Sequence, residues 1–128
     1  MKIEKSERFK KQIKNLKCKY QKIHEDIKDL KSELPKLAFR ELGKTNYKLC
    51  SIKVNKAETK EIWKIRISCS DNNRGKSAGY RIFYCKLTSD KEVFLLGIFI
   101  KKDIEGENVE KIAKQLVEAS RDAILASN

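Results

Sequence analysis

The chain has 128 residues, 40% hydrophobic and 38% charged, with 30 basic against 18 acidic residues and a formal net charge of +12. That length fits one domain with a modest core, and no apolar run approaches the roughly 18 residues that a membrane-spanning helix needs. The charge points to a polyanionic partner, the plain alternative being a lysine-rich solvated surface.

The opening segment MKIEK reads as a short strand, and its charge argues against a secretory signal and for the cytosol. Ser6 fits a helix N-cap, with Glu7 in the first turn. Phe9, Ile13, Leu16, Tyr20, Ile23, Ile27, Leu30 and Leu34 then repeat at steps of four and three, an amphipathic helical stripe. The stripe is compatible with one long helix or with two helices turning near Lys17 to Tyr20. Pro35 is expected to stop the helix, because it cannot continue the hydrogen-bond ladder. Lys36 to Glu61 is the least readable part, although NYKLCSIKV alternates with a period of two and predicts a strand.

Three β-rich runs follow, IWKIRISCS, GYRIFYCKLTS and EVFLLGIFIKK, separated by DNNRGKSA and DK. Short connections of that kind predict an antiparallel meander. The third run is apolar on both faces, as in a central covered strand, until Lys101 and Lys102. Asn108 then caps a helix carrying Val109, Ile112, Leu116, Val117, Ala123 and Ile124. The expectation is one α+β domain: an antiparallel sheet over about residues 46–102, packed by a helical hairpin (about 6–34) and a C-terminal helix (about 108–125).

Motif chemistry narrows the options. GKS at Gly75 to Ser77 resembles the end of a phosphate-binding loop, but Ser70 stands where the first glycine belongs, and the segment joins two strands. Cys18, Cys50, Cys69 and Cys85 lie far apart without a C-x-x-C pair, so they read as small buried or half-buried apolar residues; no metal or cofactor is expected. His24 falls off the apolar stripe and reads as exposed. The basic residues of the meander are more informative: Ile62 to Lys102 carries nine basic and three acidic side chains. If paired residues across the first hairpin have numbers summing to 147, Arg66 faces Arg81, a repulsive pair that an anion between them would relieve. A shift of one residue would send Arg81 to the other face. Arg74, Lys76, Lys101 and Lys102 could surround the same surface. Against this stands the reading of ordinary solvent-facing strand residues with edge-guarding lysines. Lacking a histidine or carboxylate pair, such a surface could still cleave RNA, whose own 2′-OH is the nucleophile.

The residues IWKIRI, RGKSAGYRIFY and VFLLGIFIKKD together resemble the RelE/ParE superfamily of toxins from type II toxin–antitoxin modules. The similarity spans about residues 2–120 and is specific in Trp63 to Asp103. It implies a sheet packed by an N-terminal helical hairpin, and it favours two helices over one rod. It also implies an mRNA endoribonuclease acting in the ribosomal A site and leaving a cyclic phosphate, with a cognate antitoxin as partner. By position Lys64 and Arg66 match the family's basic strand, Arg81 its hairpin arginine, and Lys101 and Lys102 its basic strand end. Arg81, Arg66, Lys101 and Lys102 are then the expected catalytic set, with Lys64, Arg74 and Lys76 holding RNA. Ala78 replaces a usual glycine, residues 44–61 are longer than in many members, and no tyrosine follows Lys102, which leaves the proton-transfer role unassigned. The alternatives are a gyrase-inhibiting toxin of the same superfamily without catalysis, and an inactive RNA-binding relative.

Overall fold

The computed structural model describes residues 1–72, 75–88 and 91–126. Strand β1 (Lys2–Lys5) leads into helices α1 (Glu7–Leu16) and α2 (Ile23–Leu37). Four strands follow, β2 (Asn46–Lys53), β3 (Thr59–Ile67), β4 (Tyr80–Thr88) and β5 (Glu92–Ile100), then α3 (Lys101–Ile104), α4 (Val109–Ala119) and α5 (Arg121–Ala126). They form one five-stranded sheet in the order β1-β5-β4-β3-β2.

The meander β2 to β5 is antiparallel as the turn chemistry predicts. The sheet as a whole is mixed, because β1 runs parallel to β5. This corrects the expectation of an antiparallel sheet. Period-two alternation carries no information on direction for a strand whose partner is remote; what sets it is the need for α1 to fold back over β5. Ser6 fixes that reversal. Its hydroxyl accepts from Phe9 N (3.0 Å), capping α1, and donates to the Leu96 carbonyl (3.2 Å).

The stripe Phe9, Ile13, Ile23, Ile27, Leu30 and Leu34 packs against one sheet face, on Trp63, Ile65, Tyr80, Ile82, Tyr84 and Leu95. Each such aliphatic side chain contributes about 1.5–3 kcal/mol when fully buried. On the other face, Ile112, Leu116, Val117 and Ile124 cover Ile62, Phe83, Phe94 and Leu96. The sheet is therefore sandwiched between two helical layers, which is why β5, flanked by β1 and β4, is apolar on both sides. Among the described residues no helix is long and apolar enough to cross a membrane.

Three further local expectations need correction. Pro35 lies inside α2, which ends at Leu37 where Ala38 adopts φ 46°. Proline's missing N–H would have served the carbonyl of Lys31, an exposed residue, so the loss is tolerated in the last turns. The C-terminal helix is two pieces that break at Ser120, where Arg121 is tied to the Val54 carbonyl (2.5 Å) and to Glu118. Lys101 and Lys102 do not end β5; they open the helical turn α3. Asn108 caps α4 through Glu110 N (3.0 Å) and Lys111 N (3.2 Å), as expected. His24 is exposed as expected; Cys50 is half-buried and Cys69 and Cys85 are buried, whereas Cys18, in the turn after α1, is exposed against the expectation of burial, and all four cysteines are free thiols.

Candidate nucleic-acid interface

The β3–β4 register pairs Arg66 with Arg81 and Lys64 with Phe83, so the three cations share the sheet face that α4 covers further along. That register is the one whose paired numbers sum to 147. Two guanidinium groups thus sit side by side on neighbouring strands, an arrangement that repels unless something negative lies between them. Beyond the end of α4, Lys64, Arg66, Arg81 and Lys101 line a hollow of about 200 Å³. The loop between α3 and α4 supplies its rim through Glu105, Gly106 and Glu107.

The four cations are held differently. Arg81 is 3% exposed and donates to the carbonyls of Lys76 (3.0 Å), Ser77 (2.6 Å) and Tyr80 (3.5 Å). It therefore locks the 3-10 turn Lys76–Ala78 to the sheet while presenting its charge to the hollow. Burial and the neighbouring Arg66 lower its pKa, with Tyr47 acting the other way. Arg66 is half-buried and its Nε is buried without a hydrogen-bond partner. Leaving such a donor unsatisfied costs about 1–3 kcal/mol. Lys64 is 7% exposed, and burial first, then Arg81 and Arg66, pull its ammonium down to a pKa of about 8. Among the described residues no carboxylate forms an ion pair with Lys64, Arg66 or Arg81. Lys101 alone is partly neutralised, by Glu105 at 3.7 Å.

The remaining predicted site residues scatter. Lys102 is exposed and faces an adjoining hollow of about 480 Å³, with Lys19, Tyr20 and Asn72. Lys76 reaches α2 instead, pairing with Glu33 at 3.4 Å; only its carbonyl serves the cluster, through Arg81. Arg74 lies outside the described residues. The segment Gly75 to Ala78 joins two strands and leads into no α-helix, as the failed phosphate-loop comparison implies.

Tyr47 is the residue that the sequence reading missed. It pairs with Lys64 across β2 and β3, and the Lys64 ammonium donates to its hydroxyl at 3.5 Å while lying 5.7 Å from the ring centroid. A phenol therefore stands beside the cations, although none follows Lys102. The signal lay in NYKLCSIKV, but a register shift between Lys48 and Cys50 breaks the simple numbering rule that worked for the next hairpin.

A second cluster, Asp26, Cys69 and Asp71, brings three metal-type ligand atoms within 4.8 Å of one another. Its acceptors are engaged: Asp26 takes Ser70 N (3.0 Å) and the Ser70 hydroxyl, and Asp71 takes Lys22 N (3.0 Å). These bonds fasten the β3–β4 connection to the helical hairpin. No family model, no curated protein and no solved structure matches this chain significantly.

Proposed function

We propose that this protein is a RelE-like endoribonuclease toxin of a type II toxin–antitoxin module, acting in the cytoplasm on mRNA at the ribosome and restrained by a cognate antitoxin. The observation that carries the reading is the convergence of Lys64, Arg66 and Arg81 on one hollow, with an unpartnered Arg66 Nε and, among the described residues, no carboxylate ion-paired to any of the three, Glu105 and Glu107 standing at the rim. A phosphodiester is the anion that such a floor suits, and the +12 charge draws in its polymer.

The chemistry follows from the positions. A Lys64 amine with a pKa near 8 is neutral in a sizeable fraction of molecules near pH 7–8 and can take the proton of the RNA 2′-OH. The 2′-oxygen then bonds to phosphorus, and the bond from phosphorus to the 5′-oxygen breaks. Arg66 and Arg81 stabilise the charge that grows on the phosphoryl oxygens. The departing 5′-oxygen takes a proton from Tyr47 or from the Lys101 ammonium, giving a 2′,3′-cyclic phosphate and a 5′-hydroxyl. Tyr47 suits the donor role because it accepts, rather than spends, a hydrogen in its contact with Lys64.

The test is to induce the protein and map transcript ends, alongside Lys64→Met and Arg66→Met. Cuts should appear within translated messages and fall by about 10²–10⁴-fold in the Lys64 variant. A 2′-deoxy substitution at the cut position should abolish cleavage. Intact messages accompanied by DNA breaks would overturn the reading in favour of gyrase poisoning.

A further inference from the structure

The hollow over the sheet is small and mixed in character. At about 200 Å³ it falls short of the roughly 300–1,000 Å³ of clefts that take drug-sized ligands. Its cations Lys64, Arg66 and Arg81 are joined by Ile104 and Val109, which give it an apolar wall, and by the carboxylates of Glu105 and Glu107. A phosphate carrying a short acyl chain matches that lining. The guanidinium pair takes the phosphoryl oxygens, and the acyl group turns to the aliphatic side chains. We propose that this hollow is a modification site, at which a small acyl phosphate transfers its acyl group to the Lys64 amine. The inference needs no polymer and does not rest on the ribonuclease reading.

Lys64 and Arg66 are two residues apart on β3 and share a face, about 6.6 Å from one another along the strand. Arg81 lies directly across from Arg66. A phosphoryl group between the two guanidinium groups relieves their repulsion and brings an acceptor to the side chain whose Nε has no partner. The acyl carbon beside that phosphate then falls within reach of Lys64, which Tyr47 steadies from β2 with its hydroxyl at 3.5 Å. Lys64 is 7% exposed, and desolvation beside two guanidinium groups is what turns an ammonium into a nucleophilic amine. The other charged groups around it are Lys101 from α3 and Glu105 and Glu107 from the loop before α4; burial, Arg81 and Arg66 act on it most. In the transfer the nitrogen lone pair bonds to the acyl carbon. The bond from that carbon to the bridging phosphate oxygen breaks with its electron pair, and the nitrogen's proton goes to the departing phosphate. The products are an Nε-acyl-lysine and inorganic phosphate, and the floor of the hollow loses one positive charge.

The test is to incubate the full chain with acetyl phosphate near neutral pH and to quantify acetylation at each lysine by peptide mass spectrometry. Lys64 should react about 10²-fold faster than the exposed Lys28 and Lys44, the ratio of neutral amine between a pKa of about 8 and an ordinary lysine near 10.4. Its rate should climb with pH and level off above about 8. Inorganic phosphate should protect Lys64 and leave Lys28 and Lys44 unaffected. Arg66→Met separates anion capture from simple amine reactivity. In that variant, labelling of Lys64 by acetyl phosphate should fall about tenfold or more relative to labelling by an uncharged acetyl ester, the worth of one hydrogen bond to a charged group. Lys64 reacting no faster than the two exposed lysines, no protection by phosphate, or an equal loss with both donors overturns the site. RNA cleavage is read separately. Selective acetylation without cutting keeps this site and removes the nuclease, and cutting without selective acetylation does the reverse.

Discussion

Arg66→Met should make the ligand-free protein more stable while weakening its grip on RNA. Methionine keeps an unbranched stem of similar reach, so the packing of the side chain's apolar part is largely preserved. Two penalties disappear. Arg66 no longer opposes Arg81 on the neighbouring strand, worth about 0.2–1 kcal/mol for like charges directly across a sheet. Its buried Nε, which has no partner, is removed as well, worth about 1–3 kcal/mol for a fully desolvated donor. Because Arg66 is only half-buried, the lower ends of both ranges apply, and the gain should be about 1–2 kcal/mol. In a domain of 128 residues that raises Tm by about 4–8 °C. Calorimetry at pH 7 in low salt measures it directly. Repeating the scan in 0.5 M salt should shrink the difference, since the repulsive part is screened. The same variant should bind single-stranded RNA with a salt exponent smaller by about 0.7. An unchanged or lower Tm in low salt would mean that the two guanidinium groups are not in conflict, and the argument that an anion belongs between them would fall.

Lys64 gives a pH signature. Its proton leaves the folded protein near pH 8 but leaves the unfolded chain near 10.5, so between those values the unfolded state binds more protons and stability climbs with pH. Urea midpoints at pH 7.5, 8.5 and 9.5 should rise relative to those of Lys64→Met, and RNA affinity should decline over the same interval; parallel midpoints for the two proteins would contradict the lowered pKa. Gly79→Ala should abolish folding or cost more than about 3 kcal/mol, because a Cβ there would lie 2.0 Å from the Ile67 carbonyl oxygen and 2.9 Å from Cys69 N, both backbone atoms. Soluble yield and Tm check it, with near-native behaviour excluding so close an approach. Tyr84→Phe removes the hydroxyl that donates to Asn46 Oδ1 at 2.6 Å inside the core, and should cost about 1–3 kcal/mol by urea denaturation; a neutral result would mean that Asn46 finds another partner.

Much of this architecture was legible because its signals are local. Ser6 and Asn108 announce helix starts, the four-three stripe from Phe9 to Leu34 announces the helical layer, and Trp63-Ile65-Ile67 against Lys64-Arg66 separates the two faces of β3. Even the arginine pair could be read, since the hairpin has no bulge between Ile62 and Ile67. What escaped depends on distant partners. The direction of β1 is set by α1 packing over β5, and the break at Ser120 by Arg121 reaching Val54. Tyr47 was hidden by the irregularity between Lys48 and Cys50. Lys101 and Lys102 illustrate the same limit: helical turn and strand end differ by a backbone rotation that no side-chain pattern at that point records.

The parallel pairing of β1 with β5 has a kinetic consequence. Ser6 and Leu96, which it brings together, are 90 residues apart, and closing a loop of that length costs about 4 kcal/mol of chain entropy against little for the β4–β5 hairpin. During synthesis the first strand and its two helices emerge long before their partner exists, so they wait with their apolar stripe uncovered. The same strand, four residues long and at the margin of the sheet, is the first element expected to detach when the protein is stressed. Its departure would bare the backbone of β5, the most apolar strand in the molecule, and turn a protected interior ribbon into a template for aggregation.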